Sequence, residues 1–137
     1  MSAGSGIAHS EFNASLTEPV EFLQIWIRPA RGGGAPRYEQ AAFDTIVPGL
    51  RCVVSPDGRD GSLTIGQNMC LHRLLWPAGG ELTYTLERKR AWVQLIRGAL
   101  VVNGAGLYPG DGLAIDAAEA LQITGRGAVE ALLFDLI

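Results

Sequence analysis

Two side chains near the start of the sequence could bind a metal. His9 and Glu11 lie two residues apart in the stretch SAGSGIAHSEFN, behind a glycine-rich approach. In an extended segment, residues two apart point to the same face. An imidazole and a carboxylate placed together there could hold iron, copper, nickel or zinc. Two donors do not complete a site, so the sequence raises the question of where the other ligands are.

The only other histidine is His72, in the apolar run NMCLHRLLW. A site of two histidines and one carboxylate would need His9, Glu11 and His72 to converge. We do not expect this, because His72 belongs to a predicted core strand in a different part of the chain. A second, simpler interpretation of His9 and Glu11 is that they are surface residues of a polar turn.

Short apolar runs separated by turn residues predict an all-β protein. The chain contains 18 Gly and 7 Pro, and no apolar pattern of helical period is long enough to indicate a long helix. Such runs are typical of an antiparallel sandwich or barrel. The run VEFLQIWIRP predicts a strand over residues 20–28, with Leu23, Ile25 and Ile27 on one face. Val20, Phe22 and Trp26 make the other face apolar too, which predicts burial on both sides.

The pattern becomes regular after about residue 49. Asn103-Gly104 separates two apolar runs and predicts a tight hairpin, because both residues tolerate a positive φ. The closing run VEALLFDLI alternates Leu133 and Asp135 with Leu132, Phe134 and Leu136, which predicts a core strand. We therefore predict two parts: residues 1–48, including strand 20–28 and a linker, and a barrel over residues 49–137.

Composition excludes several classes of protein. The 137 residues suit one ordinary globular domain, with 47% hydrophobic and 18% charged residues. A net charge of −3 argues against an electrostatic nucleic-acid partner. The sequence lacks both an apolar run of about 18 residues and a secretory signal, so we expect no membrane partner and a cytoplasmic location. There, Cys52 and Cys70 would be reduced and, in their apolar surroundings, buried and inert.

Several motifs, in order, resemble those of the pirin and quercetin 2,3-dioxygenase-like family. They are the glycine-rich segment leading into His-Ser-Glu and Asn, then LQIWI, PRYEQ, SPDGRDGSL, WVQLIRG, GDGLAI and LLFDL. The likeness covers essentially the whole chain and is greatest to bacterial pirin-like proteins with quercetinase activity. It implies a cupin fold, a jelly-roll-like β-barrel. The expected architecture is one complete barrel, over residues 49–137, and remnant strands of a preceding barrel.

The resemblance also implies where the family's metal belongs. Family members are bicupins whose metal, usually iron, lies in the N-terminal barrel, held by three His and one Glu. By resemblance, His9 is the third His, and Glu11 is both the carboxylate ligand and the catalytic proton acceptor. The first two His belong to a His-Pro-His segment that this sequence does not contain, and we expect the chain to begin after it. In the C-terminal barrel the ligand positions fall on four residues that do not form a ligand set: Tyr84, Leu86, Arg90 and Leu121.

These points predict a C-terminal cupin region of a quercetinase-type protein without catalytic activity of its own. No cofactor is expected in this chain, whereas the full-length family holds iron or another divalent transition metal. One alternative is an active flavonol (quercetin) 2,3-dioxygenase whose metal site is completed across an oligomer. Another is a protein-binding regulatory cupin module. The two-sided apolar strand over residues 20–28 predicts a homo-oligomer, since exposed edge strands pair with other chains.

Overall fold

The computed structural model describes residues 1–43 and 47–137, and their regular secondary structure is mainly a β-sheet. Residues 44–46, part of the predicted linker, lie outside the described residues. Within the described ranges, the one helical element is a single 3₁₀ turn at Arg59–Gly61, and no helix there could cross a membrane. The all-β prediction is confirmed. The eight strands are β1 Gly49–Ser55, β2 Leu63–Thr64, β3 Cys70–Trp76, β4 Gly79–Thr85, β5 Arg90–Val102, β6 Ala105–Leu107, β7 Gly112–Asp116 and β8 Ala120–Leu136.

The two longest strands, β5 and β8, form the centre of the sheet. They pair antiparallel along almost their whole length, from Arg90 opposite Leu136 to Val102 opposite Ile123. On its other edge, the first half of β8 pairs with β4 and its second half pairs with β3. On its other side β3 pairs with β1, which pairs in turn with β2. β5 also pairs with β6 and with β7. The ladders recorded for the described residues form a folded, mixed sheet that is not closed into a full barrel.

The register of the long pair slips twice, between Leu95 and Arg97 and between Arg97 and Ala99, and Gly98 of β5 lies at the second slip. Gly98 has φ +92°, and a Cβ there would collide with the carbonyl oxygen of Ala128 on β8. Glycine is therefore required both by the backbone angle and by the close approach of the two strands. At the other end of β5, Asn103 and Gly104 have φ of +48° and +83° and connect β5 to β6. The predicted Asn103-Gly104 hairpin is confirmed.

The main core lies on the inner face of this folded sheet. Alternate residues of β3, β5 and β8 point inward, as the period of two requires. The largest fully buried apolar side chains of this cluster are Leu74, Leu95, Leu100, Leu121, Ile123 and Leu133. Burying each leucine or isoleucine contributes about 1.5–3 kcal/mol. The inner face is thus filled with packed side chains over most of its length.

The prediction that residues 20–28 form a strand is wrong. The structure assigns no strand there, and none of the described turn and loop backbone hydrogen bonds involves residues 21–29. The segment lies over the outer face of the sheet, where Ile27 packs against the buried cluster of Met69, Leu71 and Leu132. A two-sided apolar pattern matches a central strand, but a strand also needs a hydrogen-bonding partner, which the pattern does not supply.

Polar contacts at both ends hold this segment, residues 20–28, to the sheet. Arg97 Nη2 lies 2.6 Å from Glu21 Oε2. Gln67 Nε2 donates to the Arg28 carbonyl oxygen at 2.8 Å, and the Ala30 N–H donates to the Gly66 carbonyl oxygen at 2.9 Å. Elsewhere in residues 1–43 the backbone forms an isolated bridge between Ser2 and Arg37. The division into residues 1–48 and 49–137 stays a prediction.

Candidate functional site

His9 and Glu11 lie side by side, outside the strands. His9 Nε2 is 3.8 Å from Glu11 Oε1, and the two side chains are 39% and 53% exposed. Their relative placement agrees with the prediction that both project to the same side. An exposed pair of polar side chains of this kind contributes little stability. It offers one nitrogen and one carboxylate as donors.

The residues present do not fit a complete metal site. Within residues 1–43 and 47–137 no group of three or more His, Cys, Asp or Glu side chains is arranged to hold a metal ion. Protein zinc sites, for comparison, use three or four protein ligands. His72 is not brought to His9 and Glu11: it lies on β3, 8% exposed, with its ring in edge contact with Tyr84 at 5.0 Å between centroids.

The four positions that correspond by resemblance to metal ligands have other roles in the folded sheet. Leu121 is fully buried and Leu86 is 9% exposed, and both belong to the main core. Arg90 lies at the surface, with Nε 3.1 Å from Asp116 Oδ1. Tyr84 donates its hydroxyl hydrogen to Asp135. These contacts are apolar packing, a surface ion pair and a buried hydrogen bond.

A buried polar network occupies one end of the inner face, and its acceptor is Asp135. This side chain is completely buried and accepts three hydrogen bonds. The Tyr84 hydroxyl donates to Oδ2 at 3.0 Å, the Glu87 N–H to Oδ2 at 2.8 Å and the Arg88 N–H to Oδ1 at 3.1 Å. Asp135 thus fixes the turn between β4 and β5 against the last strand. The sequence signal for it was an acidic residue in the apolar alternation of VEALLFDLI.

Burial keeps the neighbouring ring side chains in their neutral forms. Burial raises the pKa of Tyr84 strongly, and the adjacent Asp135 carboxylate raises it further. Burial lowers the pKa of His72 below its usual 6.5 against the opposing effect of Asp135, and the buried His72 Nδ1 has no hydrogen-bond partner. A neutral imidazole and a protonated phenol are the forms that cost least in such surroundings. The network therefore has the features of a structural element.

Comparisons with known proteins agree on one family. The family described as "Quercetinase C-terminal cupin domain" matches residues 52–136. Quercetin 2,3-dioxygenase of Escherichia coli K12 is 44% identical over 137 residues, which cover 99% of this chain and 59% of the relative. The crystal structure of YhhW from Escherichia coli superimposes with a TM-score of 0.77 at 40% identity, covering 82% of this chain and 48% of that one.

The chain belongs to the pirin-like quercetinase family. The predicted family and cupin fold are therefore confirmed. A second crystal structure, of bacterial pirin YhhW in complex with nickel(II), matches with a TM-score of 0.73 at 38% identity, covering 79% of this chain and 47% of that one. The chain spans 59% of the length of the curated relative and about half of each of these two structures.

On the outer face of this quercetinase-family domain, a groove of about 810 Å³ separates the segment 20–28 from the sheet. Its lining is mostly apolar and includes Trp26, Ile27, Met69, Trp92, Phe134 and Leu136. The groove contains neither His9 nor Glu11. The sequence indicated the apolar segment but gave no sign of the groove, which depends on how the segment lies over β5 and β8.

Proposed function

We propose that this chain is the C-terminal cupin region of a quercetinase-type pirin-like protein and that it does not oxidise flavonols by itself. The side chains on the inner face of the sheet are the main support for this proposal. Leu86 and Leu121, at two positions where the resemblance places ligands, are packed into the core, and neither can donate to a metal. Among the described residues, the other candidate position offers two adjacent donors of the kind that bind metals, His9 and Glu11.

For the family's metal chemistry, His9 and Glu11 would be two of four ligands. A divalent metal would supply a Lewis acid for the flavonol. The remaining donors would have to come from outside the described residues, since these do not complete the set. This proposal agrees with a chain that covers 59% of its quercetin dioxygenase relative. We place the protein in the cytoplasm, with neither a nucleic acid nor a membrane as its partner.

The test is metal analysis beside an oxygen-uptake assay. The purified chain is incubated in turn with iron(II), copper(II), nickel(II) and zinc(II), then dialysed, and its metal is measured. We expect well under one metal per chain and no quercetin-dependent oxygen uptake above a protein-free control. Glu11→Gln should behave like the unchanged chain. A matched control is Glu18→Gln, which changes another exposed carboxylate of the same region.

The opposite result is equally clear. One tightly bound metal per chain, lost in His9→Ala and Glu11→Gln but retained in Glu18→Gln, would contradict the proposal. One metal for every two chains with the same sensitivity would support the alternative of an active dioxygenase whose site is shared across an oligomer. Such sharing is possible in principle, because in a two-fold interface the same patch meets itself.

A second candidate function is binding another protein chain, and the segment 20–28 favours it. Phe22 is 59% exposed and Trp26 is 86% exposed, although both are large and apolar. Among the described turns and loops, no backbone-to-backbone hydrogen bond involves residues 21–29, although the Arg28 carbonyl oxygen accepts one from the Gln67 side chain. Exposed apolar surface beside free backbone groups favours pairing with a further strand. We propose a second copy of this chain as that partner, with two segments pairing antiparallel.

Sedimentation at tens of micromolar tests this pairing. We expect the unchanged chain to be a dimer and Trp26→Glu to be a monomer, because a carboxylate would be buried at the contact. Tyr108→Glu is the control, since Tyr108, which directly follows β6, is also an aromatic residue and is 71% exposed. A monomeric unchanged chain would contradict self-pairing and leave the regulatory binding module as the alternative to test.

A further inference from the structure

The two cysteines lie diagonally across neighbouring strands on the inner face of the sheet. Cys52 on β1 is directly opposite His72 on β3, and Cys70 is two residues before His72. Residues directly opposite each other, and residues two apart on one strand, share a face. The register of β1 slips between Cys52 and Val54, so β1 is bulged beside Cys52. Burial, and after it the neighbouring Cys70 thiol, raise the pKa of Cys52.

The two thiols differ in their exposure and in their neighbours. Cys70 is completely buried, whereas Cys52 is partly exposed, and both are free. The predicted burial therefore holds for Cys70 and only in part for Cys52. Two guanidinium groups donate to Cys70 Sγ, from Arg59 Nη2 at 2.9 Å and from Arg88 Nη1 at 3.5 Å. Donation from cationic groups stabilises negative charge on a sulfur.

Each guanidinium is itself held in place. Arg59 forms two hydrogen bonds with the Glu87 carboxylate, at 2.8 and 2.7 Å. Arg88 donates from Nε and Nη2 to Asn68 Oδ1, at 2.9 and 2.7 Å. The donors are therefore fixed toward Cys70 before any reaction begins. This arrangement differs from that of an inert core cysteine, which is surrounded by apolar groups alone.

We propose that Cys52 and Cys70 are a reactive thiol pair that small disulfides oxidise to an intramolecular disulfide. In the first step the sulfur of Cys52, the partly exposed thiol, attacks the small disulfide, forms a mixed disulfide and releases one small thiol. In the second step Cys70 Sγ attacks the Cys52 sulfur, forms the Cys52–Cys70 bond and releases the second small thiol. The protein loses two electrons and two protons, and the small disulfide gains both.

The geometry also predicts that this bond is easily reduced. Diagonal residues on neighbouring strands have Cβ atoms nearly 7 Å apart, whereas a disulfide holds them at about 3.8 Å. β1 must therefore move toward β3, and the bulge beside Cys52 is the place where it can do so. A strained disulfide is more readily reduced than a relaxed one. The pair should therefore open again with a small dithiol.

Oxidised glutathione and intact-mass spectrometry test the proposal. We expect the unchanged chain to lose the mass of two hydrogen atoms and to retain no glutathione. Cys70→Ser should stop after gaining one glutathionyl group, because it cannot complete the second step. Cys52→Ser should stay unmodified, because its remaining thiol is buried. Dithiothreitol should restore the mass of the unchanged chain.

Arginine variants test the positioning role of Arg59. In Arg59→Gln we expect the second step to be roughly tenfold slower, because Cys70 Sγ loses the nearer of its two guanidinium contacts. Arg59→Lys should recover part of the rate, and Arg97→Gln, at an exposed arginine bonded to Glu21, should leave it unchanged. Near-ultraviolet circular dichroism before oxidation shows that each variant is folded. A stable mixed disulfide on the unchanged chain, equal reaction of Cys52→Ser, or no reaction at all would overturn the proposal.

Discussion

Replacing Asp135 by asparagine tests whether the buried network holds the β4–β5 turn against β8. The two side chains have nearly the same shape, but asparagine has a single acceptor oxygen. If that oxygen takes the place of Oδ2, it still accepts from Tyr84 and from the Glu87 N–H. The new amide group then points its hydrogens at the Arg88 N–H, which loses its acceptor. If the amide oxygen instead takes the place of Oδ1, the Tyr84 hydroxyl and the Glu87 N–H both lose their acceptor.

The expected cost follows from these three bonds. The lost bond between a charged acceptor and a buried N–H corresponds to about 1.5–3 kcal/mol. In the two bonds that remain, the acceptor oxygen is neutral instead of charged, so each bond weakens by about half, or roughly 1 kcal/mol. Relief from burying a carboxylate offsets part of this. We expect Asp135→Asn to lower the free energy of unfolding by about 2–4 kcal/mol and Tm by roughly 6–15 °C.

Urea unfolding followed by tryptophan fluorescence measures the free energy, and thermal unfolding measures Tm. Tyr84→Phe removes one donor and should cost about 1–2 kcal/mol. Asp116→Asn makes the same chemical change at an exposed carboxylate, paired only with the exposed Arg90, and should have no measurable effect. The reasoning fails if Asp135→Asn unfolds like the unchanged chain, or if Asp116→Asn loses as much stability.

Two further predictions concern Gly98, at a register slip in the long strand pair, and the buried histidine. Gly98→Ala should lower the free energy of unfolding by about 3 kcal/mol or more, because φ is positive there and the added Cβ would collide with the Ala128 carbonyl oxygen. Gly104→Ala has open space around the added Cβ and should lower it by only about 1 kcal/mol. Thermal unfolding measures both. Equal losses would contradict the close-approach argument. Burial lowers the pKa of His72 in the folded chain, so on acidification His72 takes up its proton at a higher pH in the unfolded chain than in the folded chain. Below about pH 6.5 this difference favours the unfolded state and should reduce the free energy of unfolding. Urea unfolding at about pH 7.5 and about pH 5.5 should show a smaller loss in His72→Gln, and an unchanged loss would show that another group is responsible.

Local sequence patterns were enough to predict the fold class and some of the strands. Alternating apolar residues and turn signals predicted the all-β fold, and Asn103-Gly104 predicted a hairpin that has the required positive φ angles. Alternation also indicated a strand over residues 20–28 that the structure does not contain, because alternation describes the faces of a strand and not its edges. Whether backbone groups find partners depends on distant parts of the chain, which the local pattern does not contain.

The candidate sites show the same limit. His9 and Glu11 are two residues apart, so their closeness follows from local geometry, and the structure places their side chains 3.8 Å apart. The partners of Asp135 are 47 to 51 residues away in the sequence, on a different strand and turn. Sequence alone indicated only an acidic residue on a core face. The pairing of Arg59 with Cys70 likewise depends on how the 3₁₀ turn folds back over β3.

The contents of the inner face also determine where metal chemistry can reside in this chain. Leu86 and Leu121 complete the core between the two halves of the sheet. Exchanging either for a histidine would remove buried apolar contacts and add a polar group without a partner, at a cost of several kcal/mol. A typical domain has only about 5–15 kcal/mol of stability in total. Introducing a histidine at either position would therefore use up a large part of the stability of such a domain, whereas the exposed His9 and Glu11, outside the strands, could be exchanged at little cost to the fold.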